Sequence, residues 1–386
     1  MLCYIHIPFC KRKCNYCSFV SFVGQETQAE KYIDLIIKEA EARQNELSET
    51  VHTVYIGGGT PSLLSPFLLK KICDNIRRLF SISDVIEYTS EANPGTVSAE
   101  WLDTAVSIGI NRLSVGMQAY QPELLHTLGR IHLFSDVDKT IRLARRAGIG
   151  NINLDLIFGI PGQSLDDWNE TLDAALSLKP DHISAYGLIP EEGTPIFERI
   201  NEGKLSLPDP ETERIMYDRC IQILSDNGYM QYEISNFARK NRECIHNIGY
   251  WTQEPYIGLG ISASSMSIVQ KGQNGMICRR KTNPQSIDEY TQSVLAVSSG
   301  GADHGWETIL PAESRFETIM LGLRMNKGIH EDEFYRLHGV SITEIFGKQL
   351  MYFEKQGLLQ YVNGYWRMTR RGFDVQNSIL VEFMTD

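Results

Sequence analysis

The sequence has no excess of basic charge. Lys and Arg total 37 against 48 Asp and Glu, a net charge of −11. A nucleic-acid reader carries a basic surface, at least locally. Three short basic runs, Lys11–Lys13, Arg279–Lys281 and Arg370–Arg371, do not supply one. They read as solvated surface or as contacts for an anionic ligand. No stretch of about 18 uncharged apolar residues occurs, so no membrane-spanning helix is expected. The N-terminal MLCYIHIPFC lacks a basic start and a small-residue cleavage site, so no secretory signal is read there and a cytoplasmic location is expected. No internal repeat and no low-complexity tract is found.

One further absence is local. CKRKCNYC presents three cysteines, Cys10, Cys14 and Cys17, and no fourth. The chain has eight cysteines in all. Disulfides are not expected in a cytoplasmic protein. Cys3, Cys73, Cys220, Cys244 and Cys278 are scattered, and each reads first as a buried small hydrophobe. The loop is different. Structural zinc takes four ligands and a closed site, and only His6 and the more distant Cys3 lie upstream to complete one. Loose redox thiols are the other ordinary reading. A [4Fe–4S] cubane accounts better for three. Such clusters are held by cysteine thiolates, and three thiolates leave one iron open to a small molecule with amino and carboxylate groups. S-adenosylmethionine is such a molecule, and one electron from the cluster breaks its sulfonium to give a carbon radical.

β-Branched runs alternate with amphipathic helical stretches as far as about residue 235. LCYIHI, VHTVYI, VIEYTSEA, INRLSVGM, NINLDLIFGI and HISAYGLI read as strands, with helical segments such as AEKYIDLIIKEAEARQN and PFLLKKICDNIRRLF between them. Repeated strand–helix units imply an α/β fold with a parallel sheet. Periodicity alone leaves a partial barrel and an open sheet covered on both faces as alternatives. In either, ligands gather beyond the C-terminal strand ends. Cys10, the GGGT run Gly57–Thr60, Glu91, Gln118 and Asp155 all fall at such ends. Residues 236–305, rich in Gly and Ser, read as an irregular extension. Residues 306–386 read as helices, a hairpin turning at Asn363-Gly364 and a last helix over 371–384, a winged-helix-like domain. Its nine Lys and Arg against eleven Asp and Glu argue against DNA reading.

CxxxCxxC after the first strand, with Tyr16 before the last cysteine, resembles the radical S-adenosylmethionine superfamily, as does GGGTP. The ordered string YIHIPFC, YIGGGTPS, EANPGT, RLSVGMQ, HTLGRIH, DLIFGIPGQ and HISAYGL resembles the oxygen-independent coproporphyrinogen III oxidases and the related HemW heme chaperones. The resemblance implies a partial parallel (β/α)6-type barrel over 1–235, with 306–386 as the HemW-type C-terminal domain. It implies Cys10, Cys14 and Cys17 as cluster ligands. Tyr4, Tyr16, Gly58, Gly59 and Thr60 would lie at the methionine end of the cofactor. Glu91, Gln118, Arg130 and Asp155 would hold its ribose, carboxylate and neighbouring groups.

Two features separate the relatives. The oxidases carry a further cysteine two residues past the third, where this chain has Phe19, and a longer N-terminal extension. HNIGYW, His246–Trp251, resembles the HNxxYW signature of HemW, in which the histidine is associated with heme. The implied function is a heme chaperone binding a [4Fe–4S] cluster, S-adenosylmethionine and heme, and passing heme to membrane respiratory enzymes. His246 would be the axial heme ligand, with Cys244 as the alternative. Peripheral membrane association, a homodimer and cleavage of the cofactor stay open. The other reading is an oxygen-independent coproporphyrinogen III dehydrogenase acting by radical oxidative decarboxylation. The sequence supports no nucleic-acid partner.

Overall fold

Alternation along the strands decides the architecture. Strands of a parallel sheet buried on both faces usually run as unbroken apolar stretches. Here each strand has one apolar and one polar side. Val54 and Ile56, Tyr88, Leu113 and Val115, Ile152 and Leu154, and Ile183 belong to the main core under the helices. The residues between them face the other way and bond to one another across the strands. Tyr55 donates its hydroxyl to Glu91 at 3.0 Å, Ser114 to Asp155 at 2.9 Å, and Ser184 to Asn153 at 3.2 Å.

The computed structural model describes residues 1–386 except 47–49, 81, 83–84, 274 and 385–386. Six strands pair in parallel in chain order: β1 (Leu2–Ile7), β2 (Thr53–Gly58), β3 (Glu87–Ala92), β4 (Arg112–Gln118), β5 (Asn151–Phe158) and β6 (His182–Gly187). Helices α1 (Ala29–Arg43), α2 (Pro66–Leu79), α3 (Ala99–Ser107), α4 (Phe134–Ala147), α5 (Leu165–Ser177) and α6 (Pro210–Asp226) alternate with them or follow. Their starts are set by local chemistry. Ser65 accepts from the Leu68 N–H with Pro66 at the first helical position, and Ser164 and Asp167 form a reciprocal capping box. Glu91 on β3 and Tyr186 on β6 line one cavity, so the sheet curls around its polar face. This is the expected partial (β/α)6-type barrel.

Residues 236–305 do not form an irregular extension. They supply β8 (Asn236–Ala238), β9 (Tyr256–Leu259), β10 (Ser264–Gln270) and β11 (Ile277–Thr282), and all join the same sheet. With β7 (Met230–Gln231) and β12 (Glu307–Ile309) the sheet has twelve strands, in the order β12-β11-β10-β9-β1-β2-β3-β4-β5-β6-β8-β7. β9 is parallel to β1, and β10 to β12 continue antiparallel. SSMSIVQ and ICRRKT hide their strand character because only part of each is covered, so Ser, Arg and Lys break the apolar pattern.

The C-terminal part has its own core, from Ile319 to Phe383. It holds α8 (Pro311–Gly322), α9 (Glu331–His338) and α10 (Ile342–Lys355) against a sheet ordered β13 (Ile329–His330), β15 (Tyr365–Met368), β14 (Leu359–Val362). The hairpin turns at Asn363 and Gly364, both at positive φ (52° and 85°), as a primed turn requires. The single last helix expected over 371–384 is instead two short ones, Arg370–Asp374 and Gln376–Val381, because Val375 leaves helical geometry at φ −122° and ψ 24°. This winged-helix-like unit docks on the barrel through Asn326, whose N–H and side chain donate to the Tyr232 and Gln231 carbonyls at 3.0 and 2.9 Å.

One buried carboxylate ties β9 to the barrel. Glu39 on α1 accepts from Arg43, Asn283, the Gly260 N–H and the Tyr290 hydroxyl at 3.2, 2.7, 2.9 and 2.8 Å. Glu39→Ala takes the acceptor from the Gly260 N–H and the Tyr290 hydroxyl and removes the buried carboxylate that faces Arg43. Breaking a buried pair in this way costs about 3–5 kcal/mol. Urea denaturation of the variant is expected to show that loss, and a change under about 1 kcal/mol would show that the network is not what joins these elements.

Candidate functional site

The strand ends converge as the sequence implied. Cys10, Cys14, Tyr16, Cys17, Gly58, Gly59, Glu91, Gln118, Arg130 and Asp155 all line one cavity of about 410 Å³ at the C-terminal mouth of the barrel. That volume lies within the usual range of small-molecule sites, about 300–1,000 Å³. Tyr4 lines an adjoining cavity that shares Gly58, Glu91 and Phe19, and it stacks on Tyr55 at 6.2 Å. Thr60 is buried behind the wall, where its hydroxyl donates to the Cys10 sulfur at 3.6 Å and accepts from Asn93 at 2.8 Å.

Glycine is required where the end of β2 passes close to side chains of β1 and β3. Gly58 sits at φ 109°, and a Cβ there would lie 2.5 Å from the His6 ring. A Cβ on Gly57 would lie 2.9 Å from the Glu91 carboxylate. Glu91 accepts from the Gly58 N–H and the Tyr55 hydroxyl, each at 3.0 Å. Burial, reinforced by the nearby Asp155 charge, nonetheless pushes its carboxyl up to about 7. Burial also raises Asp155, against hydrogen bonds from Ser114 and Asn153. Arg130 reaches across the mouth. It donates to the Cys14 sulfur at 3.4 Å, to Asn93 at 2.8 Å and to the Gly116 carbonyl at 2.9 Å.

Gln118 takes φ 60° at a register shift between β4 and β5, a bulge that re-aims its side chain. Its Oε1 and the Arg130 Nε are buried without a hydrogen-bond partner. Unpartnered buried polar atoms on a cavity wall suit a polar ligand. Burial holds the Cys10 and Cys17 thiols above their ordinary values, so bound metal would have to draw off their protons. A cubane held by the three thiolates, beside an amide, a guanidinium and two carboxylates for an amino-acid nucleoside, fits the residues that line the cavity.

Sequence reasoning missed Tyr55, Asn93 and Ser114. Each positions a named residue: Glu91, Arg130 and Asp155 respectively. Their signal was present, since all three sit in strands or motifs where polar residues alternate with apolar ones.

His246 is not at this mouth. It lies on α7 (Ile245–Trp251), which closes the opposite, N-terminal end of the barrel. Glu87, the first residue of β3, accepts from the Ile245 and His246 N–H groups at 2.9 and 3.0 Å and from the Cys244 thiol at 3.4 Å. The His246 ring is 1% exposed. Its nitrogens bond to the Thr53 and Tyr250 hydroxyls at 2.9 and 3.1 Å. Burial, with Arg112 next in weight, pushes its pKa down to about 3. Cys244 is fully buried, and its thiol is pushed up to about 12 by burial. In this conformation both ring nitrogens of His246 are engaged with hydroxyls and the Cys244 thiol donates to Glu87. HNIGYW reads here as a plug. His246 and Tyr250 pack edge-on at 4.9 Å, and Arg324 of the C-terminal unit lies over the Trp251 ring at 5.6 Å.

Comparison with known proteins agrees with this geometry. The profile of the Radical SAM superfamily matches residues 4–175, and that of the HemN C-terminal domain matches 309–375. The chain is 34% identical to the heme chaperone HemW of Bacillus subtilis over 99% of this chain and 98% of that one. It is 33% identical to the mitochondrial radical S-adenosyl methionine domain-containing protein 1 of Danio rerio, over 92% and 80%. Among solved structures, coproporphyrinogen III oxidase HemN of Escherichia coli superposes with a TM-score of 0.82 at 23% identity, covering 100% of this chain and 90% of that one, and shares the fold. With a three-cysteine loop at the mouth of a six-stranded barrel and about a third of its residues identical to that chaperone along nearly its whole length, the chain belongs to the HemW family of radical S-adenosylmethionine proteins.

Proposed function

We propose that this protein is a cytoplasmic heme chaperone that binds a [4Fe–4S] cluster, S-adenosylmethionine and heme, and delivers heme to membrane respiratory enzymes. The observation that carries the cofactor part is the convergence of Cys10, Cys14 and Cys17 with Gln118, Arg130, Glu91 and Asp155 on one cavity. The heme part is supported by the HemW relatives, which are named heme chaperones. Phe19, in place of the oxidases' extra cysteine, favours this reading over coproporphyrinogen III dehydrogenation.

Cys10, Cys14 and Cys17 would hold the cluster. When bound, the cluster and S-adenosylmethionine supply one-electron cleavage of a sulfonium to a carbon radical. The chain's own residues bind and orient. The guanidinium of Arg130 suits the cofactor carboxylate, and its bond to the Cys14 sulfur links that pocket to the cluster loop. Asp155 and Glu91 suit ribose hydroxyls or an ammonium. Ser114, Asn153 and Tyr55 keep both carboxylates from swinging.

Cluster content tests the first half. In anaerobically reconstituted protein, Cys10→Ala, Cys14→Ala or Cys17→Ala should each abolish the [4Fe–4S] absorption, while Cys73→Ala and Cys220→Ala, buried under the helices, should keep it. Zinc without iron in careful reconstitutions would sink the cluster assignment. Arg130→Gln removes a charge-assisted bond worth about 1.5–3 kcal/mol, so S-adenosylmethionine should bind roughly 10- to 150-fold more weakly in an equilibrium titration.

The Glu91 carboxyl gives a pH signature. Its value of about 7 means that ionised Glu91, the form that attracts a cationic ligand, is present above that pH and lost below it. Affinity for S-adenosylmethionine should therefore fall by about tenfold per pH unit below 7, and Glu91→Gln should flatten that slope. An unchanged slope in the variant would remove Glu91 from the site.

A further inference from the structure

One buried charge inside the barrel touches no counter-charge. Arg112, the first residue of β4, is 2% exposed. Leu113 and Val115 face the helices, so Arg112 points into the interior together with Ser114. Arg43, equally buried, is met by Glu39, Glu46, the Gly258 carbonyl and the Ser265 hydroxyl. Among the described residues, the Arg112 side chain makes no ion pair and no hydrogen bond, and its Nε is sealed from solvent. Thr89 on β3 and Asn151 on β5 flank it in register. Both are neutral, and Thr89 Oγ1 and Asn151 Oδ1 lack partners themselves. Arginine keeps its charge in proteins, and a buried charge is screened far less than a surface one.

Three carboxylates share that interior. Glu87, two residues before Thr89, spends its oxygens on Cys244, Ile245 and His246 at the start of α7. Glu91 and Asp155 lie on the other side, toward the cavity. Glu91 is level with Ser114 and Asp155 with Gly116, two and four residues along β4 from Arg112. At roughly 3.3 Å per residue, the nearer one is about 7 Å further up the barrel. Opposite charges still interact strongly at that distance in a buried site. Burial raises both carboxyls. For Glu91 the Asp155 charge adds to this, and bonds from Tyr55 and the Gly58 N–H, then the Arg112 charge, oppose it. For Asp155 the opposition comes from Ser114, Asn153 and Arg112. Tyr4 and His6 from β1, Tyr55 from β2 and Tyr186 from β6 also face the pair, and burial keeps the phenols and the imidazole neutral. Arg130, at the mouth, is spent on Cys14, Asn93 and Gly116.

We propose that Arg112 is a positioning residue for the cofactor cavity: its unpaired charge, set beneath Glu91 and Asp155, holds that pair ionised and ready for a cationic ligand. This rests on the reading that the cavity takes S-adenosylmethionine, whose sulfonium and ammonium are cations, and it adds what keeps the receiving acids charged. Two neighbouring buried carboxyls with no cation near them would share a proton. Direct contact would serve less well. An arginine paired with either acid would occupy its oxygens and cancel the charge the ligand meets. One held a layer below leaves the outer lone pairs of both to the cavity.

The test compares Arg112→Gln and Arg112→Lys with the wild type as cluster-loaded full chains, titrated with S-adenosylmethionine across pH. Affinities are taken as ratios to the wild type at each pH, so titration of the ligand's own amine cancels. Without the cation the carboxyls should titrate roughly one unit higher. Since Glu91 titrates at about 7, Arg112→Gln should bind about fivefold more weakly at about that pH. At about pH 9, two units above it, the acids are ionised in both and the variant should bind no more weakly than the wild type. Arg112→Lys, which keeps the charge, should follow the wild type. In the ligand-free chain, the infrared band of protonated Glu91, identified by its loss in Glu91→Gln, should persist to a pH about one unit higher in Arg112→Gln. If Arg112→Gln does not fold, Arg112→Gln with Glu87→Gln is compared with Glu87→Gln in the same two measurements. An affinity ratio that does not change with pH, or an unshifted band, would overturn the proposal and leave Arg112 a counter-charge to Glu87 alone. Wild-type protein that binds no S-adenosylmethionine would instead refute the cofactor reading, and this role with it.

Discussion

The structure depends on one constraint: a barrel interior filled with polar and charged side chains must satisfy them without bulk water. Buried charges survive only when paired or hydrogen-bonded. Arg112, Glu87, Glu91 and Asp155 all point into this interior, and Arg112 is among the largest fully buried side chains. Each acid is met by hydroxyls, amides or backbone N–H groups. At the N-terminal end, Glu87 caps α7, while Arg112 Nε has no hydrogen-bond partner. At the C-terminal end, Gln118 Oε1 and Arg130 Nε lack partners on the wall of the cavity.

The same six strands serve both ends. The first residues of β2 and β3, Thr53 and Glu87, hold the plug. The last residues of the strands build the cavity. A chain of rings also crosses the interior: Tyr4 stacks on Tyr55, Tyr55 lies 5.2 Å from His246, and His246 meets Tyr250, which meets Tyr256 at 4.9 Å. The HNIGYW segment thus packs against the wall that carries Glu91 at its other end. Its histidine is as deeply built in as any core residue, and this explains why both its nitrogens are spent on neighbouring hydroxyls.

The parallel barrel, the cysteine loop and the strand-end residues were legible in the sequence. Cys10, Gly58, Glu91, Gln118 and Asp155 carry their signal in position, since each lies late in a strand that the β-branched pattern marks or just beyond one. Two things were not legible. Residues 236–305 hid their strands because β10 and β11 are only half covered, and Arg279, Arg280 and Lys281 obscure the alternation. The site of His246 was hidden because a short motif reports residue types and not depth. A histidine between a threonine on β2 and a tyrosine one turn later on its own helix looks the same in sequence as one facing solvent. Spacing likewise gave no sign that Phe19 and Ile189, 170 positions apart, share a rim.

The central claim is that this radical S-adenosylmethionine architecture carries heme and does not decarboxylate a porphyrinogen. The most direct measurement offers anaerobically reconstituted, reduced protein with S-adenosylmethionine either coproporphyrinogen III or heme, and follows products by chromatography. The account predicts stable, stoichiometric heme binding and no decarboxylated product. Steady turnover of coproporphyrinogen III to protoporphyrinogen IX would contradict it.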